Sequence, residues 1–173
     1  MTFFMPVQAK KNKSFVDKIT ENENISIRYY NTTPVEGLKS LNHFFYSAGL
    51  GSPRPHNVLI PSILRGINMG SKNINLLGAD HSWIPLLTVN DKNEVLLDQK
   101  HFYDENKTTP KQMHKNEGRG NRALHEVLHK WMLSFRSYHE LDAYAQKKGT
   151  KIYNLTPGSF IDAFERKPQE SEE

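Results

Sequence analysis

Two hydrophobic rhythms alternate along the chain. Short apolar or β-branched runs read as strands: "TFFMPVQ" near the start, "ISIRYYN" at 25–31, "KNINLLGAD" at 72–80 and "KIYNLT" at 151–156. The third is almost wholly apolar, the pattern of a strand buried on both faces in a parallel sheet. Between these runs, apolar residues recur every three or four positions. That spacing predicts helices over Lys13–Glu21, over Pro34–Phe45 with the proline opening it, and over Val58–Met69 with Gly70 as the cap. A long helix carries Ala123, Leu124, Val127, Leu128, Trp131, Met132 and Phe135 as one stripe and stops at Gly149, and "SFIDAFER" (159–166) reads as a closing helix. A hairpin is expected around "VNDKNEVLLD" and a polar loop from Asp104 to Asn121. Strands alternating with helices across short turns predict an α/β fold, a Rossmann-like parallel sheet with flanking helices and a small hairpin and loop excursion. Residues 1–166 form one expected domain, and 167–173 a charged tail.

Composition narrows the function classes. The chain has 173 residues, 36% hydrophobic and 24% charged, which suits one globular domain. It has no cysteine, so disulfides and thiolate metal sites are excluded. No apolar run approaches the roughly 20 residues of a membrane span, and "MTFFMPVQAKKNK" has its basic cluster on the wrong side for a secretory signal. The expected location is cytoplasmic. A net charge of +4, spread over scattered lysines, slightly favours anionic ligands and gives no reason to expect a nucleic-acid partner.

Three stretches carry candidate chemistry. In parallel sheets, ligands gather beyond the carboxyl ends of strands, and two predicted strand ends are polar: Gly78-Ala79-Asp80-His81-Ser82-Trp83 and Asn154-Leu155-Thr156-Pro157-Gly158-Ser159. Gly78 permits a sharp turn or a close approach, and Asp80 either takes sugar hydroxyls or acts as a base, or else caps its own loop. "HEVLH" at 125–129 places His125 and His129 on one helical face with Glu126 between them, the arrangement of a zinc protease. A third ligand is missing, since Glu140 continues the same helix, so no metal is expected. "GRGNR" at 118–122 precedes the long helix, where Arg119, Arg122 and the helix dipole favour anions. Trp83 and Tyr103 are candidate stacking platforms for a sugar ring, with core packing as the alternative.

"GINMGSKNINLLGAD", then "HKNEGRGNRAL" and "KKGTKIYNLTPGSFIDAF", resembles the C-terminal half of bacterial sialyltransferases that use CMP-sialic acid. It is similar also to the related Rossmann-type glycosyltransferase and 6-hydroxymethylpterin diphosphokinase-like families of surface-polysaccharide loci. The resemblance covers about Arg54 to Phe164. It implies a glycosyltransferase with a sugar nucleotide as donor substrate, a glycan acceptor and no further cofactor. It implies Asp80 and His114 as catalytic residues, His114 being the base that deprotonates the acceptor. Arg54, Gly78, Ser82, Trp83, Tyr103, Arg119, Asn154, Thr156 and Ser159 become the substrate and nucleotide contacts. Where the sialyltransferases place tyrosines after Gly-x-Asp, this chain has His81, Ser82 and Trp83. The family's opening strand and Gly-rich nucleotide loop have no counterpart before Lys13. The expectation is therefore the C-terminal half of a longer enzyme, with little turnover alone; a non-catalytic α/β fragment that binds a partner is the other reading.

Overall fold

The computed structural model describes residues 1–98, 109–115 and 120–167. In chain order its elements are Thr2–Pro6 (β1), Lys13–Thr20 (α1), Ser26–Tyr30 (β2), Lys39–Ala48 (α2), Leu59–Asn68 (α3) and Asn73–Leu76 (β3). Leu87–Val89 (β4), Val95–Leu97 (β5), Lys111–Gln112 (β6), Leu124–Lys148 (α4) and Lys151–Asn154 (β7) follow. β1 pairs with β2 and β3 with β7, both in parallel, while β4, β5 and β6 form a small antiparallel sheet. Parallel neighbours need a crossover, and helices supply it: α1 returns the chain between β1 and β2, and α4 delivers it to β7 beside β3. The fold is thus α/β, with parallel strand pairs flanked by helices and an antiparallel hairpin sheet. Among the described residues, no helix is long and apolar enough to cross a membrane.

The main core lies between α3, α4 and the β3–β7 pair. Ile60, Ile63, Leu64 and Ile67 fall on one face of α3 at helical spacing, and all are buried. They cluster with Tyr138, Leu141 and Tyr144 of α4 and with Leu76 and Ile152 of the strands. Full burial of such an aliphatic side chain contributes about 1.5–3 kcal/mol, so Ile63→Ala, which also leaves a cavity, costs about 2–5 kcal/mol. A second cluster, Val95, Val127 and Trp131, joins the hairpin sheet to the first turns of α4. Gly149 ends α4 at φ 70°, and the amide of Thr150 then returns to Ala145 O at 2.9 Å, which turns the chain into β7.

Several sequence expectations are corrected. Pro34 opens no helix: it bridges Ser52, and Val35 N donates to Ser52 O at 3.0 Å. A Cβ on Gly51 would meet Val35 Cγ2 at 2.1 Å, so this close pairing needs glycine. α2 starts only at Lys39. "SFIDAFER" is not helical either. The Ser159 side chain takes Ile161 N, and Glu165 O takes Asn154 N, so these backbone groups serve the strand end instead of a helical ladder. Ile161 and Phe164, three apart, are buried all the same. Among the described residues β3 has one strand neighbour, and it exposes Asn73 and Asn75, so it is not buried on both faces. β1 leaves Phe3 and Phe4 part exposed. The predicted stripe on α4 splits: Val127 and Trp131 are buried, while Leu124, Leu128 and Met132 face solvent. Part of the predicted 104–121 loop is strand, since β6 adds to β5; the rest of 104–108 and 116–119 lies outside the described residues.

Candidate functional site

Beyond the carboxyl end of β3 the backbone turns twice through the left-handed region, at Gly78 (φ 69°) and at His81 (φ 52°). Glycine takes such a φ freely, whereas a histidine there is strained and must be held by its surroundings. Here the hold is specific. The His81 ring is buried, stacked on Trp83 at a centroid distance of 4.3 Å, with Nε2 2.6 Å from the Tyr138 hydroxyl of α4. Asn57 Nδ2 donates to that hydroxyl at 2.8 Å and to Ser134 Oγ at 3.2 Å. Asn57 Oδ1 accepts Ile60 N at 3.2 Å in the first turn of α3, which fixes the amide's orientation. Burial lowers the His81 pKa, against a smaller opposing effect of Asp80, and pushes Tyr138 up to about 12. At neutral pH the ring is therefore neutral and the phenol protonated.

This network floors a cleft of about 250 Å³. Trp83 and Trp131 wall it, with rings 5.9 Å apart, and Leu97 and Met113 of the hairpin sheet close one side. Its polar lining is Asn57, Ser134, Lys130 and His56. His56 Nε2 is buried without a hydrogen-bond partner among the described residues. Burial, then the charges of Lys130 and Arg54, hold its pKa below the ordinary value. No acidic side chain lines the cleft among the described residues. The chemistry is that of an anionic ligand bearing a flat or sugar ring: aromatic faces, a cation, and an imidazole nitrogen without a partner among the described residues.

The sequence-predicted residues divide into groups. Trp83 lines the cleft, and Gly78 makes the turn that leads to it. Asp80 is exposed and accepts from Ser82 Oγ at 2.8 Å, so the two form a turn on the solvent side. Asn154, Thr156 and Ser159 are buried and bond to each other and to the turn after β3. Asn154 Nδ2 donates to Ser159 Oγ (2.9 Å), Ser159 Oγ to Ala79 O (2.6 Å), and Ala79 N to Thr156 Oγ1 (3.0 Å). These side chains fasten one strand-end loop to the other and hold up the segment that carries His81 and Trp83.

Arg54 and Arg136 share Glu36 at 3.0 and 2.6 Å, which occupies Arg54 with a carboxylate. His114 is exposed, its Nδ1 2.9 Å from Asn121 Oδ1, one residue beyond cleft-lining Met113. No hydrogen bond joins His114 to Asp80 among the described residues. Arg122 donates to His114 O, and Tyr103 and Arg119 lie outside the described residues. In the HEVLH segment, Glu126 accepts Ala123 N at 2.8 Å and pairs with Lys115 at 2.9 Å, which makes it the cap of α4. No group of three metal-ligating side chains occurs among the described residues.

Sequence reasoning missed His56, Asn57, Lys130, Ser134 and Tyr138. One signal was available. Trp131, Ser134 and Tyr138 share a helical face with Val127 and Leu141, and hydroxyls on a buried stripe need partners. No protein-family model matches this chain, and no curated protein or solved structure matches it significantly.

Proposed function

We propose that the cleft beside Trp83 binds the phosphorylated end of a sugar nucleotide and that the domain is glycosyltransferase-like, as its motif order suggests. The observation that carries this reading is the pairing of Trp83 and Trp131 with Lys130 and the unpartnered His56 Nε2, in a cleft without carboxylates among the described residues. A volume of about 250 Å³ suits one ring and its phosphate, so the remainder of the donor extends beyond it. In the transfer step, neutral His56 takes the proton of the acceptor hydroxyl. The freed oxygen bonds to the anomeric carbon as the bond from that carbon to the phosphate oxygen breaks. Lys130 stabilises the departing phosphate. His81 and Tyr138 lie behind the lining and position the Trp83 wall, while Asn57 joins that network to the cleft.

Calorimetric titration with CMP, UDP and GDP, and with their sugar conjugates, tests the binding step. One nucleotide should bind saturably at micromolar to millimolar concentration, and Trp83→Ala and Lys130→Ala should each weaken it by about tenfold or more. Binding that survives both substitutions, or no binding by any nucleotide, rejects the proposal.

A further inference from the structure

A second cleft, of about 300 Å³, lies where the β1–β2 pair meets the outer face of α3, and it shares no lining residue with the first. Phe4 of β1, Tyr30 of β2, and Val58, Pro61 and Met69 around α3 make its apolar walls. Arg65 is the charged side chain in its lining. Arginines normally spend their five donors. Here Arg54 and Arg136 share Glu36, Arg122 serves His114 O, Arg166 serves Ser159 O, and Arg28 is exposed to water. Arg65 differs from all of these. Its Nε is buried without a partner, and it makes no hydrogen bond or ion pair among the described residues. Its neighbour is the Tyr30 ring, with the guanidinium carbon 5.8 Å from the centroid. Burial lowers its pKa, so the cation sits in a place that disfavours it.

Arg65 is half-buried, with its Nε out of reach of water and no counter-charge among the described residues, so an anion is the partner the cleft suits. Phe4, Val58 and Met69 add exposed apolar surface to the walls, Val58 at 77% and Met69 at 69% exposure. A fully hydrated anion such as free phosphate gains nothing from such walls; a body that buries them does. The volume lies at the small end of the range of about 300–1,000 Å³ for ligand sites, which suits a compact ligand. We infer that this cleft is a binding site for a small amphiphilic anion, one carboxylate or phosphate on a compact apolar or aromatic body, with the anion on Arg65 and the body against Tyr30, Pro61 and Met69.

Titration of the full chain with phenyl phosphate and with 3-phenylpropionate, followed by amide chemical shifts, tests this. At least one should bind saturably, with shifts in β1, β2 and α3, and the tighter of the two identifies the head group. 3-Phenylpropanol has the body without charge and inorganic phosphate the charge without a body; each should bind about tenfold more weakly or worse. Arg65→Met should lose about tenfold in affinity while its melting temperature holds or rises, since a half-buried, unpaired charge is removed. Met69→Glu, at an exposed position where the fold is not at stake, sets a carboxylate in the lining and should weaken binding as well; it decides alone if Arg65→Met does not fold. Trp83→Ala should leave these titrations unchanged, which separates them from the nucleotide cleft. Equal binding of the alcohol, inorganic phosphate as tight as phenyl phosphate, or binding that survives Met69→Glu overturns the inference.

Discussion

The Tyr138 hydroxyl lies 2.6 Å from His81 Nε2, joining α4 to the strained turn after β3. Asn57 Nδ2 donates to that hydroxyl, so the phenol proton goes to His81 and the imidazole carries its own proton on Nδ1. Each group in the chain thereby satisfies the next, and removing the middle one leaves His81 Nε2 with only the longer contact to Asn57 Nδ2 at 3.4 Å, while Asn57 keeps Ser134. Tyr138→Phe keeps the ring and its packing and should cost about 0.5–1.5 kcal/mol. Denaturant unfolding measures it, and an unchanged midpoint with an unchanged slope would show that the network contributes nothing.

Stability should fall on mild acidification. Burial lowers the pKa of His43, His56 and His81 below the ordinary value of 6.5. Between the folded and unfolded values the unfolded chain binds more protons, so unfolding free energy rises with pH there. The contribution is complete above the unfolded pKa and is lost as pH drops through 6.5 toward the lowered values. Urea midpoints at about pH 7.5 and about pH 5.5 should differ in that sense, and His81→Asn, which tolerates the left-handed backbone, should reduce the difference. A midpoint that rises on acidification contradicts the burial of these rings.

What the sequence made legible follows periodicity. The apolar face of α3 and the arrest of α4 at Gly149 depend on local spacing and turn chemistry, and both are as expected. The closing segment was misread because Ile161 and Phe164 have helical spacing, while the bonds that deny it a helix come from Asn154, Ser159 and Glu165. At the site, strand-end logic located Trp83; of the other strand end, Thr156 and Ser159 bond to the turn after β3, Asn154 bonds within its own loop, and Asn154 and Thr156 line a separate cleft of about 280 Å³. The Trp83 cleft's remaining polar groups come from α3's approach and from the middle of α4, 77 and 81 residues from Asn57 to its partners Ser134 and Tyr138. Spacing in one dimension carries no record of that meeting.

Glu126 gives the HEVLH segment a role that needs no metal. Its carboxylate holds the amide of Ala123, the cap residue just before α4, and pairs with Lys115, which lowers its pKa. Glu126→Gln keeps an acceptor for Ala123 N and should melt between the wild type and Glu126→Ala. Zinc added after dialysis should leave all three melting temperatures in place. Metal analysis giving about one Zn²⁺ per chain, lost on His129→Ala, would restore the protease reading.

His56 and His114 make different demands on a transfer assay. His56 lines the cleft with Nε2 free, while His114 is exposed with Nδ1 committed to Asn121. If His56 is the base, turnover depends on its neutral form. The rate should climb with pH through the lowered His56 pKa, below 6.5, and be flat by neutrality. His56→Ala should lower turnover by about 10²–10⁴-fold with donor affinity little changed, because the base acts on the acceptor. His114→Ala should preserve most of the rate. The reverse order, with the loss at His114 and the acid limb of the profile untouched by His56→Ala, would move the base to the hairpin edge and leave His56 as part of the cleft wall.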